Sequence, residues 1–279
     1  MLHPRIAVLV RPNGAVQLGW SPERAVIVRP PGPVESGPAL VRLLDGSRTE
    51  SEILRQAREL GFEVEDTRTL LGELADAGLL AAAEPRSRLR AVRVHGRGPL
   101  ADALLDGLHR IGLRAKHSHG RPGAPGAPGS GGPWPERPDL LVLSDTLVPD
   151  PALVADLMRA RVPHLQVRIR DGAGIVGPLV LPGETACLRC ADLYRTAAEP
   201  AWPHLSAQLL GRVGCASPAV AALTAALALR EIETVARGRA ERPPASLNAT
   251  LEWDPDIPRL DRRTWTPHPD CGCGADAVV

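Results

Sequence analysis

Short bursts of alternating apolar and polar residues open the chain, and apolar residues at helical spacing follow them. Residues 5–10, 15–20 and 25–28 are rich in Val, Ile and Leu and are separated by Pro12-Asn13-Gly14 and Ser21-Pro22-Glu23, which predicts a three-stranded antiparallel meander. Three helices are expected next. The first spans 38–44 and stops at Asp45-Gly46; the second begins at Thr49, where Glu52 completes a capping box, and ends at Gly61. Asp66 or Thr67 caps the third, in which Leu70, Leu71 and Leu74 recur on one face until Gly78 closes it ahead of Leu79-Leu80. Strands, helix, helix-turn-helix and a terminal wing make a winged-helix-like domain of three strands and three helices over residues 1–85.

Beyond residue 89 the pattern becomes strand alternating with helix. A strand at 89–94 runs through His95-Gly96-Arg97-Gly98-Pro99-Leu100-Ala101 into a helix at 100–111. Strands at 140–143 and 165–169 flank a helix at 151–161, and a long Ala/Leu helix starts at Ser217-Pro218 and reaches Gly238. This alternation predicts an α/β domain with a mostly parallel sheet over residues 89–279. Residues 120–138 are dominated by Gly and Pro and are expected to form a mobile loop within it.

The turn with Gly96 and Gly98 fits G-x-G-x-x-G/A between a strand and a helix, the setting in which glycines let a nucleotide's phosphates approach the backbone. Such a site needs an acidic residue about 20 positions on to hold a ribose. Here stand Lys116, His117, Ser118 and His119, and Pro99 removes one backbone donor from the turn.

The clearest chemistry lies in the cysteines. Four of the five fall into two tight pairs, Cys187 and Cys190 in Cys-Leu-Arg-Cys, and Cys271 and Cys273 in Cys-Gly-Cys. Two split pairs of thiolates predict a tetrahedral Zn²⁺ site, and four thiolates with no open position make that zinc structural. A redox pair, a disulfide pair, or replacement of one thiolate by His268 are the other readings of the same residues. The fifth cysteine, Cys215, precedes a helix N-terminus; it is either a reactive thiol favoured by the dipole or a small buried residue beneath the helix, the commoner fate of cysteine. The histidines form no triad-like set and no nucleophile motif is present, so no catalytic residue is assigned.

Composition narrows the partners. In 279 residues, 33 basic side chains meet 32 acidic ones, so no global field draws the protein to nucleic acid or membrane. The third helix of the first domain carries Arg68 among Glu63, Glu65, Asp66, Glu73 and Asp76, which opposes DNA binding there. The first ten residues do not read as a signal peptide, and the most apolar helical stretch, 218–229, is shorter than the ~20 residues of a membrane span. A cytoplasmic, reducing location is expected.

Two resemblances sharpen this. The order of elements in 1–85, with Leu43-Leu44-Asp45-Gly46 and residues 74–80 (LADAGLL), resembles the leader-peptide recognition domains of ribosomal-peptide maturation systems. The resemblance implies that a peptide adds as a strand beside Ala25, Val26, Ile27 and Val28 and packs near Arg68, Leu71 and Ala75. Residues 177–190 (GPLVLPGETACLRC), Cys215-Ala216-Ser217-Pro218 and residues 268–274 (HPDCGCG) resemble the E1-like (ThiF-type) superfamily, in particular its members in thiazole/oxazole-modified microcin (cyclodehydratase) biosynthesis. Adenylating members hold ATP with an acidic residue after the second strand, nearby cations, and an Asp closing a later strand. Asp145 occupies a place like the last of these and Lys116 remains nearby, while the rest of the set is missing. The resemblance therefore implies a vestigial nucleotide site at Gly96, Gly98, Lys116 and Asp145, no ATP, and a scaffold that captures a precursor leader peptide and docks a YcaO-type cyclodehydratase. Homodimers are common among E1-like folds. The competing implications are an E1-like adenylyltransferase and a winged-helix DNA-binding regulator.

Overall fold

A computed structural model describes the chain except for residues 1, 4, 31, 81–86, 121–136, 239–242, 258 and 276–279. The Gly/Pro-rich stretch thus lies almost wholly outside the described residues. The chain divides into two compact units, Met1–Pro85 and Arg86–Val279.

In the first unit, β1 (Val8–Val10), β2 (Val16–Leu18) and β3 (Val26–Val28) pair antiparallel in that order, so β1 and β3 are both edges. The strands are shorter than the apolar runs that encode them. Helix α1 (Gly37–Arg42) lies between two 3-10 turns, and Gly46 adopts a left-handed φ of 91° to end the second. Helix α2 (Glu50–Glu59) starts with the reciprocal Thr49–Glu52 capping box, whose Thr49 amide donates to Glu52 at 2.7 Å. Helix α3 (Val64–Asp76) begins before the expected Asp66 or Thr67; its cap is Glu63, which makes no side-chain capping bond. Thr67 instead is buried and its hydroxyl donates back to the Glu63 carbonyl at 2.9 Å. Among the described residues the wing is one bridge, between Leu2 and Leu80. Val16, Leu18, Leu40, Leu70 and Leu74 are the centre of this unit's apolar cluster.

The second unit is built on a seven-stranded sheet in the order β10-β9-β8-β7-β6-β4-β5. Strands β4 (Val92–His95), β5 (Ala115–Ser118), β6 (Leu140–Ser144) and β7 (His164–Arg170) are parallel; β8 (Ala173–Val180), β9 (Ala249–Asp254) and β10 (Arg259–Thr264) add antiparallel. The sheet is therefore mixed rather than mostly parallel. The cause is local: Asp171 and Gly172 take left-handed φ values of 52° and 83°, the geometry of a tight hairpin turn, so β8 folds straight back on β7. Helices α4 (Pro99–Arg110) and α8 (Pro218–Arg237) pack together on one face, with Leu100, Leu104 and Leu108 fully buried. Helix α5 (Pro151–Arg159), α6 (Leu188–Ala198) and α7 (Trp202–Gln208) complete the unit. The cluster containing Leu141, Leu143, Leu157 and Trp265 is separate from the first and includes the paired cysteines. Among the described residues no helix is long and apolar enough to cross a membrane.

Two buried polar residues mark this packing. Glu231 on α8 accepts from both the amide and the hydroxyl of Ser246 at 2.7 Å, tying the helix to the segment before β9. His164, at the start of β7, is fully buried; its Nδ1 donates to the Val162 carbonyl at 2.9 Å, and burial pushes the imidazole down to about 4. A histidine kept neutral in the fold but free to protonate when unfolded adds stability that is complete above its ordinary value of 6.5 and is lost as pH falls toward 4. Lowering the pH from 7 to 5 should therefore cost about 2 kcal/mol through this residue. Urea titrations should show that His164→Gln flattens that part of the pH profile. Leu104→Ala, which empties a fully buried position, should cost about 3 kcal/mol at any pH.

Candidate metal centre and the glycine-rich turn

The sheet order brings the two cysteine pairs together. Strand β8 leads through a loop, closed by the Leu181 amide donating to Thr185 at 2.8 Å, into Cys187 at the cap of α6. Cys190 lies one turn on, so both sulfurs share one end of the helix. The antiparallel β9–β10 hairpin carries the chain back to the same end, where Trp265 is buried and its amide donates to the Asn248 carbonyl at 2.8 Å. Asn248 also accepts from the Ala186 amide at 2.8 Å, so one residue joins the approaches to both pairs. Gly272, with a left-handed φ of 65°, turns the Cys-Gly-Cys segment.

The four sulfur atoms all lie within 4.8 Å of one another, and they are the one such cluster of ligating side chains among the described residues. Cys187 and Cys190 are 3.7 Å apart, Cys187 and Cys271 3.4 Å, and Cys190 and Cys273 3.6 Å. Four thiolates around a zinc at its usual 2.3 Å define a tetrahedron with edges of about 3.8 Å, whereas a disulfide needs about 2.05 Å. The spacing fits a metal, and the donor set suits zinc. His268 stays out of the cluster, stacking edge-on against Tyr194 at 4.7 Å.

Without a cation, burial opposes ionisation at two of these thiols. Burial pushes Cys187 up to about 11 and raises Cys271 further. At Cys190 burial acts in the same direction but is outweighed by hydrogen bonds to the thiolate at the His268 and Cys187 amides, so its value falls. A divalent ion supplies the charge that holds all four as thiolates. When bound, zinc would crosslink the C-terminal segment to α6, with no open position for a reacting group.

The glycine-rich turn is filled from within. Pro99 at the first position of α4 has no N–H, and the next two amides, of Leu100 and Ala101, each donate to the Asp145 carboxylate at 3.0 Å. Asp145 is buried and sits at a left-handed φ of 68°, turned out of β6 to face the helix end. That end carries positive potential and suits an anion; here the anion is the protein's own side chain. The glycines have an internal explanation as well. A Cβ at Gly96 would strike Ser144, and one at Gly98 would strike the Asp145 carboxylate. Lys116 is exposed on the edge strand β5, in register with Arg93 and, across β4, with Leu141, four residues before Asp145. Asp145, Gly96 and Gly98 thus converge, and the register leaves Lys116 back along the sheet.

Cys215 is exposed just ahead of α8, which overturns the expectation of a small residue buried beneath the helix; Ser217 provides the cap, accepting from the Val220 amide. In the first unit, Ile27 on the β3 edge is 47% exposed, Val28 is buried, and Ala25 and Val26 are half-buried. On α3, Arg68 and Ala75 are exposed and Leu71 half-buried, along one helical stripe, with Arg68 paired to Glu65 at 3.3 Å. Val26, Val28 and Leu71 belong to the same apolar cluster. Sequence reasoning missed the polar face of β7, where Gln166, Arg168 and Arg170 alternate with buried Leu165, Val167 and Ile169; the period-two pattern was the signal.

No family profile and no curated protein matches the chain. Solved structures do. The heterocyclase TruD superposes over 99% of this chain with a TM-score of 0.66 at 16% identity, and a heterocyclase in complex with substrate and cofactor gives 0.68 at 16%. The chain spans 42% and 39% of those two proteins' lengths. E. coli MccB with ATP matches over 98% of both chains, with a TM-score of 0.60 at 11% identity. At these identities the likeness is one of fold. The expectation that ATP is not bound draws no support from a match to an ATP complex.

Purified protein should carry one zinc per chain by elemental analysis. Cys190→Ser should lose most of it and lower the thermal midpoint, as should a strong chelator. Titrating the pH downward should release the metal, because protons compete for the thiolates.

Proposed function

We propose that this chain takes part in maturing a ribosomally made peptide, with the first unit capturing the precursor's leader segment and the second serving as a zinc-stapled scaffold for a separate YcaO-type cyclodehydratase. The observation that carries the non-catalytic part is the closure of the glycine-rich helix end by Asp145. Adenylyl transfer needs positioned cations and a metal around the phosphates. At this helix end the phosphate's place is taken by a carboxylate, and Lys116 lies back along the edge strand.

Capture follows from elementary sheet chemistry. Strand β3 is an edge with unpaired backbone groups, and the exposed Ile27 together with half-buried Val26 and Leu71 offers apolar contacts to an added strand. A peptide held by its leader leaves its other end free to reach a partner's site at raised local concentration. Azoline formation, with its ATP consumption, would belong to that partner.

A second reading has its own support. The near full-length match to MccB, including its ATP complex, favours an adenylyltransferase acting on a peptide or sulfur-carrier C-terminus, with Asp145 leaving the α4 amides to serve the nucleotide. ATP–pyrophosphate exchange abolished by Asp145→Ala would establish that reading over the scaffold.

The capture proposal is tested by fluorescence anisotropy with the labelled leader of a precursor peptide encoded beside this gene. Ile27→Pro removes the backbone donor that this register turns away from β2 toward the open edge, and Ile27→Asp charges the exposed face without touching the core. Each should weaken binding by about tenfold or more, as expected for loss of one or two good contacts. Unchanged affinity in both variants, or no binding by the parent protein, would contradict it.

A further inference from the structure

Outside the cysteine cluster and the glycine-rich turn, the second unit holds a cavity of about 440 Å³ between the polar face of β7 and helices α6 and α7. Gln166, Arg168 and Arg170 all line it, as strand periodicity requires of residues two apart. Arg195 from α6, Arg263 from β10 and the Trp202 ring close its other sides.

The arginines are not equivalent. Arg170 pairs with Glu252 at 2.9 Å, and Arg195 pairs with Asp192 at 2.8 Å while lying 5.3 Å over Trp202. Arg263 stacks on Trp265 at 4.7 Å. Arg168 is different: it is 7% exposed, and among the described residues its one hydrogen bond is from Nη1 to the Leu147 carbonyl at 3.0 Å and no carboxylate pairs with it. Burial, with Arg195 and Arg170 nearby, presses its guanidinium down to about 9, which still leaves it charged at neutral pH. Two residues earlier, Gln166 is 2% exposed and its Nε2 has no hydrogen-bond partner among the described residues. A buried cation with no carboxylate in contact, only Asp192 and Glu252 acting from farther off, and a buried amide donor without an acceptor are each costly. They stand about 7 Å apart along one strand, on one side of one cavity. Of the acidic residues that also line it, Asp171 and Glu199 are exposed, and the half-buried Asp192 is already engaged by the Arg195 guanidinium and the Trp202 indole N–H.

We infer that this cavity is a binding site for an anionic oxygen group, a carboxylate or a phosphate, held between the Arg168 guanidinium and the Gln166 amide. A planar guanidinium offers paired donors to either group, and the amide adds one more. The site is separate from the β3 edge and stands whether or not the first unit binds a leader.

Thermal shift and calorimetric titration of the zinc-loaded full chain test it, using inorganic phosphate, diglycine and diglycine amide at constant ionic strength in chloride. Saturable stabilisation by phosphate alone assigns a phosphoryl ligand, and stabilisation by diglycine but not its amide assigns a carboxylate; either supports the site. Arg168→Met should raise the thermal midpoint of the ligand-free protein, because it removes a buried charge that no carboxylate contacts, and should abolish the response. Gln166→Leu, which keeps the side-chain bulk, should weaken the effective anion by about tenfold. No stabilisation by any of the three compounds, or an equal response in both variants, would overturn the assignment.

Discussion

The return of the C-terminal segment to the start of α6 is the constraint on which the second unit depends. Cys187 and Cys190 lie at one helix end and Cys271 and Cys273 more than 80 residues later, so only the antiparallel strands β8, β9 and β10 can bring the pairs into register. The same three strands make the sheet mixed, bury Trp265 beside the sulfurs, and place Asn248 where it hydrogen-bonds both approaches. A metal at this point closes a long loop of chain, which limits the unfolded state as well as fastening the folded one. Without it, burial keeps Cys187 and Cys271 protonated, and the Cys-Gly-Cys segment is held to α6 only by packing and hydrogen bonds.

A second economy appears at the opposite end of the parallel strands. Helix α4 starts with Pro99, and its next two amides are satisfied by Asp145 across the top of β6. This internal ion does for the helix what a phosphate does in nucleotide-binding relatives of the motif. The glycines persist because Ser144 and Asp145 press against them, so their presence alone carries no information about a ligand. The exposed β3 edge, the Gln166 amide and the Arg168 guanidinium, which bonds only the Leu147 carbonyl among the described residues, are the opposite case: groups whose hydrogen-bonding capacity those residues do not fill. Function in this chain is read more reliably from unmet hydrogen-bonding capacity than from motifs already satisfied within the fold.

Much of this was legible in the sequence. The Thr49-x-x-Glu52 box, the Gly46 and Gly61 stops, the meander and the paired cysteines all act through local geometry that residue type dictates. The parallel half of the sheet followed from strand–helix alternation. What escaped has physical reasons. Asp171-Gly172 is a two-residue hairpin signal that the expectation of alternating helices obscured. Strand β10, Arg259–Thr264, is exposed throughout, so it carries no apolar pattern. Asp145 belongs to a recognisable position, yet its bond to α4 depends on a left-handed backbone turn that only the fold reveals. Cys215 was weighed on how often cysteines are buried, and the loop ahead of α8 keeps it at the surface. The pairing state of Arg168 and Gln166 is a property of their neighbours and has no sequence signature.

The scaffold proposal stands or falls on whether the second unit handles a nucleotide by itself. Calorimetric titration of the zinc-loaded chain with magnesium-ATP, in the absence of any partner, addresses it directly. The account predicts no saturable heat, and an unchanged baseline when Asp145 is replaced by Asn. Tight, magnesium-dependent binding that Asp145→Asn abolishes would contradict it and favour the adenylyltransferase reading.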